Sequence, residues 1–167
     1  LSLLAGDPGL GKSLITIDLA ARVSRGMRWP DSDEPNPAGT VIILSAEDDP
    51  ADTIRPRLDA AGAEVAKVVL LQAVEWYDGD AKKSSSRMFS LERDIPALDD
   101  ACQQFPDARL IIVDPVSAYC GGTDSHKNAE VRGLLAPLAE LAARQRVAVL
   151  CVTHLNKGAG PAMYRSM

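Results

Sequence analysis

Gly6-Asp7-Pro8-Gly9-Leu10-Gly11-Lys12-Ser13 reads G-x-x-x-x-G-K-S, set directly after an apolar strand-like run at residues 1–5 and directly before a helix-like one. Glycines at this spacing let the backbone curl so that successive N–H groups point inward at an anion. The helix opening near Lys12 adds the positive end of its dipole. Lys12 is a mobile point charge able to reach the β- and γ-phosphates of a nucleotide, and the Ser13 hydroxyl is small enough to join the octahedral shell of a magnesium ion. The run Asp7, Pro8, Gly9, Leu10, Gly11, Lys12, Ser13 and Leu14 is therefore the candidate nucleotide-binding set. A glycine turn that binds nothing is the alternative; two glycines, a lysine and a hydroxyl at fixed offsets between strand and helix weigh against it.

Outward from this loop, the 167 residues suit a single domain, long enough to bury about two-thirds of the unfolded chain's surface. Eighteen Lys and Arg against 23 Asp and Glu give a net charge of −5, so no overall basic field attracts nucleic acid, although a local basic groove remains compatible with it. Cys102, Cys120 and Cys151 are odd in number and lack C-x-x-C spacing, which argues for a reduced, cytoplasmic setting rather than a disulfide framework or zinc site. Cys151, in a strand-like run, reads as a small buried hydrophobe. The apolar stretches at 110–113 and 147–152 are too short to span a bilayer, and no signal peptide is visible. The chain opens without Met inside its first strand, so a trimmed fragment lacking C-terminal strands is the expectation.

Residues 14–26 carry apolar side chains at Leu14, Ile15, Ile17, Leu19, Ala20 and Val23, the pattern of a helix with one buried face, and Gly26 is a natural stop. Residues 27–39 read as an exposed loop, in which Trp29 either covers a nucleotide base or packs under the loop, packing being favoured. Residues 40–45 form a continuous apolar run suited to a strand buried on both faces. Asp49 is the expected N-cap, and Pro50 the first residue, of a helix reaching about Ala61 and ending at Gly62. A strand is expected over 65–71, a mobile loop over about 75–90, a helix capped by Asp94 with Pro96 in its first turn up to Phe105, and a strand over 109–113. A loop over 119–128, a helix over 129–146 kinked at Pro137, and a strand over 147–153 complete the chain. Alternating strands and helices predict a three-layer α/β/α sandwich with a mainly parallel sheet, whose ligands sit at the carboxyl ends of the strands.

Three polar residues stand just past apolar strands. Asp114 closes Leu110-Ile111-Ile112-Val113, where a carboxylate can hold magnesium directly or through water; a turn former before Pro115 is the alternative. Glu47 follows Ile42-Ile43-Leu44-Ser45-Ala46 and can polarise a water for attack on a γ-phosphate, with Asp48 and Asp49 competing for that role and a solvated acidic turn as the bland reading. His154 stands where it can touch the γ-phosphate, or is simply a surface turn residue.

Together, GDPGLGKS, the SAED stretch at 45–48, LIIVDP at 110–115, GGTDSHKNAEVR at 121–132 and THLNK at 153–157 resemble the RecA-like ATPase core, most closely the AAA-type branch that holds the plasmid-replication helicase RepA. The resemblance implies a phosphate-loop lysine and serine at Lys12 and Ser13, a catalytic glutamate at Glu47, a metal-site aspartate at Asp114 and a γ-phosphate sensor at His154. It also places a further nucleotide-site arginine on Arg57 or Arg55. It further implies ATP with Mg2+, self-association into a ring, commonly a hexamer, an arginine finger beyond Met167, and single-stranded DNA in the central channel. The expected activity is ATP hydrolysis by a helicase or DNA-associated motor in replication or recombination. A regulatory or assembly module with little turnover, and a small-molecule kinase, are the alternatives.

Overall fold

A computed structural model describes residues 1–34, 36–78, 83–121 and 128–155. Five parallel strands form the central sheet in the order β1-β7-β6-β2-β3: β1 is Ser2–Gly6, β2 Thr40–Ser45, β3 Val68–Leu70, β6 Ala108–Asp114 and β7 Ala148–His154. A separate antiparallel pair, β4 (Val74–Asp78) and β5 (Lys83–Arg87), stands outside it.

Residues of alternate parity in the strands feed two cores. Ile42, Leu44, Ile111, Val113, Val149 and Cys151 face one side, where α3 (Ile95–Gln104) and α4 (Asn128–Gln145) cover them through Leu98, Leu138 and Leu141. Val41, Ile43, Leu110 and Ile112 face the other, covered by α1 (Lys12–Arg25) and α2 (Arg55–Ala60) through Ile17, Ala20 and Leu58. Such double coverage explains why these strands read as unbroken apolar runs. The result is the three-layer α/β/α sandwich with a parallel sheet. Trp29 packs against the second core, and Gly26 ends α1 in the left-handed conformation at φ 71°.

Several elements depart from the sequence reading. The stretch read as a loop pairs Val74 with Arg87 through Asp78 with Lys83; the expected loop contains a hairpin, and residues 79–82 at its tip lie outside the described residues. The expected strand over 65–71 begins as a single 3-10 turn, Val65–Lys67, leaving only Val68–Leu70 to pair with β2. The helix after Asp49 opens with a wide turn, Pro50–Ile54, in which Ile54 N–H reaches back to the Asp49 carbonyl at 2.9 Å, before α2 tightens. Asp94 is the N-cap residue of α3, its carbonyl accepting from Leu98 N–H at 3.2 Å, but its side chain makes no cap bond, because the carboxylate is held by Arg87 at 2.6 Å on each oxygen and by Ser90 N–H at 2.8 Å. Among the described residues, no helix is long and apolar enough to cross a membrane.

Candidate functional site

β1, β2, β6 and β7 end at the same edge of the sheet, and parallel pairing brings their last residues level: Gly6 opposite His154, and Ser45 opposite Asp114. The loop after β1 turns through Gly9 at φ 80° and Gly11 at φ 79°, a left-handed backbone that side-chain-bearing residues rarely adopt. Gly11 sits at the N-cap of α1 without a side-chain cap, and helix geometry leaves the amides of Lys12 and Ser13 without intrahelical acceptors. A backbone of this shape, opening on a helix N-terminus, suits an anion. Asp7, Pro8, Gly9, Leu10 and Leu14 are exposed around the loop.

Lys12 is buried, and its ammonium donates to the carbonyls of Gly6 at 2.9 Å and Asp7 at 3.0 Å. Its Nζ lies 3.3 Å from His154 Nδ1. An ammonium has no lone pair, so Nδ1 must accept, which places the ring proton on Nε2. That nitrogen faces Glu47 Oε2 at 3.5 Å. Lys12, His154 and Glu47 thus form a polar row across three strand tips.

Beside this row, the Ser13 hydroxyl donates to Asp114 Oδ2 at 3.0 Å. Burial pushes the Asp114 carboxyl above its ordinary value; the Ser13 bond opposes that, and the negative charges of Glu47 and Asp48 add to it. Ser13, Thr16, Ser45, Asp48 and Asp114 border a cavity of about 20 Å³, room for one water-sized sphere. The described residues hold no group of three or more His, Cys, Asp or Glu side chains able to cage a metal. One hydroxyl and one carboxylate, both hard oxygen donors, fit magnesium, which keeps most of its shell for water and phosphate oxygens. Thr16 was missed from the sequence: nearly fully buried, it donates from Oγ1 to the Ser13 carbonyl at 2.9 Å, and its position one turn beyond Ser13 was the available signal.

The two candidate arginines separate clearly. Arg57 donates to Asp48 Oδ2 at 2.8 Å, one residue from Glu47, whereas Arg55 pairs with Asp59 along the exposed side of α2. All three cysteines are free and buried, and burial carries the Cys151 thiol up to about 12. Residues 122–127 and 156–167, which include parts of the GGTDSHKNAEVR and THLNK stretches, lie outside the described residues.

A family model described as AAA domain matches residues 1–160. No curated protein matches the chain.

Proposed function

Because this chain belongs to the AAA domain family, whose members are nucleotide-binding ATPases, we propose that it hydrolyses ATP with magnesium as a RecA-like motor of the RepA branch, a ring-forming helicase or DNA-associated machine of replication or recombination. The observation that carries the enzymatic part is the convergence of Lys12, Ser13, Asp114, Glu47 and His154 at one edge of the sheet. A phosphate-binding module would need the first two. A carboxylate and an imidazole beside them suit phosphoryl transfer, for which simple phosphate binding has no need.

In this reading the amides of residues 9–13 and the Lys12 ammonium hold the β- and γ-phosphates. Ser13 and Asp114 hold magnesium, which when bound spreads the charge developing on the phosphate oxygens. The Glu47 carboxylate accepts a hydrogen bond from water, aligns its oxygen with the γ-phosphorus and takes its proton as the bond to the bridging oxygen breaks, releasing ADP and phosphate. His154, linked to both Lys12 and Glu47, senses the γ-phosphate. Assembly as a hexamer, with single-stranded DNA in its channel and a cytoplasmic setting, rests on the family likeness and the absence of disulfides among the described residues.

Phosphate release measured without any acceptor tests the proposal and separates it from a kinase, which releases almost none. Glu47→Gln should keep ATP binding and cut turnover by about a hundredfold or more. Unchanged turnover in that variant would retire the role of Glu47. Anisotropy of labelled single strands, with ATP and across a salt series, tests the DNA assignment.

A further inference from the structure

Glu47, Asp48 and Asp49 are consecutive carboxylates, and the fold gives each a different partner. Glu47 faces His154. Asp49 accepts from the amides of Ala51 and Asp52, both at 2.8 Å, and so is occupied in opening the helical turn. Asp48 accepts from Arg57 at 2.8 Å. The backbone of this turn is fixed at both ends: Ala46 N–H donates to the Asp114 carbonyl at 3.1 Å, and the amides of Thr53 and Ile54 donate to the Asp49 carbonyl at 3.0 and 2.9 Å. Between those anchors stand Glu47 and Asp48, and the side-chain tethers at this point are the 2.8 Å ion pair from Asp48 to Arg57 and the longer 3.5 Å contact from Glu47 to His154.

Asp48 also borders the cavity shared by Ser13 and Asp114. We propose that Arg57 is a positioning residue: by holding Asp48 it sets the turn that presents Glu47 to the phosphate pocket. This inference rests on the reading of Glu47 as the group that orients water. It assigns Arg57 to the turn instead of to the nucleotide. The pair is partly exposed, with side chains 39% and 32% accessible, so its loss acts little on folding and mainly on the placement of its neighbour.

The test uses the full-length protein and four variants: Arg57→Gln, Asp48→Asn, the two combined, and Arg57→Lys. Each single change should lower kcat by roughly 10- to 100-fold, the usual effect of a misplaced catalytic group, while affinity for the β,γ-imido analogue of ATP with magnesium stays within about twofold. The double variant should be no worse than the worse single one, because both remove the same contact. Arg57→Lys should regain much of the rate, since Asp48 receives a single N–H that an ammonium can replace. A tenfold loss of analogue affinity in Arg57→Gln but not in Asp48→Asn would overturn the proposal and make Arg57 a nucleotide contact. Additive rate losses would overturn it as well. Hydrogen exchange of the nucleotide-free protein provides a readout independent of turnover: amides 47–49 should exchange several-fold faster in both single variants. Unchanged exchange there rejects the tether even if the wild type hydrolyses ATP. Faster exchange in the variants, with a wild type that shows no turnover, keeps the tether and rejects the ATPase reading alone.

Discussion

Lys12 Nζ and His154 Nδ1, 142 residues apart in sequence, lie 3.3 Å apart in the fold, and the opposite side of the same imidazole faces Glu47. The ring therefore couples the phosphate-binding cation to the water-orienting carboxylate. Replacing His154 with Ala removes that coupling while leaving Lys12 its bonds to the Gly6 and Asp7 carbonyls. Steady-state kinetics should show kcat lowered by about 10- to 100-fold, with ATP affinity by calorimetry changed far less. A parallel loss of affinity would place His154 among the binding groups.

Lys12→Ala should act on the other half of that relationship. A ligand at a hundred times its dissociation constant stabilises the folded state by about 2.7 kcal/mol, which in a domain of this size raises Tm by roughly 5–10 °C. The wild type should show such a rise with ATP and magnesium, and Lys12→Ala should show almost none. A rise retained in the variant would remove Lys12 from the phosphate site.

Asp114→Asn should separate stability from function. The carboxylate is held above its ordinary value by burial and by the nearby charges of Glu47 and Asp48, so its ionised form is unfavourable in the folded chain without a cation. An amide oxygen can still accept from Ser13. The nucleotide-free variant should thus melt at or above the wild-type temperature while losing the magnesium-dependent part of ATP binding. A clear fall in the nucleotide-free melting temperature would contradict this.

Asp94 predicts an acid limb. The hydrogen bonds from Arg87, then that from Ser90 N–H, hold its carboxyl below the ordinary 3.8, against the opposing effect of burial. A carboxylate depressed in the folded state adds stability above its unfolded value, and that stability is lost as pH falls through the folded one. Asp94→Asn should cost about 1–3 kcal/mol at neutral pH, with the gap to wild type closing below about pH 4. Melting curves from pH 7 to 2 check this; a gap independent of pH would show that shape, not charge, matters there.

What was legible in the sequence was what local chemistry dictates. Gly6 to Ser13 imposes its own backbone, and Leu110 to Val113 and Val41 to Leu44 are apolar without a break because both sheet faces are covered. The hairpin was missed because only one strand advertises itself: Val74-Glu75-Trp76-Tyr77 favours extended chain, but Lys83-Ser84-Ser85-Ser86 does not, and the pairing between them supplies the rest. Asp94 looked like a side-chain cap because Pro96 follows it, while Arg87, seven residues upstream, takes its carboxylate. Asp49 was legible as a cap because Pro50 follows it, but the pairing of Glu47 with His154 and of Asp48 with Arg57 was not, since those partners arrive only through the packing of β7 and α2.

At the opposite edge of the sheet from the phosphate loop, Gly39 precedes β2 with its backbone pressed against the start of β6. A Cβ there would fall 2.5 Å from the Asp107 carbonyl oxygen and 2.6 Å from Cγ and Cδ of Arg109. The Arg109 side chain can swing away, but Asp107 is tied down: its carbonyl accepts from Thr40 N–H at 3.0 Å, and its carboxylate accepts from the Thr40 hydroxyl at 2.7 Å and from Lys67 at 3.3 Å. Gly39→Ala must therefore push the two strands apart or break those bonds, a loss of about 1–3 kcal/mol. The tips that carry Glu47 and Asp114 lie at the far ends of these two strands, and His154 ends β7 at that same edge, so nucleotide affinity well below the melting temperature should not change. Denaturant unfolding and calorimetry on one preparation separate the two effects, and a variant as stable as wild type would mean that the strands approach less closely than this geometry requires.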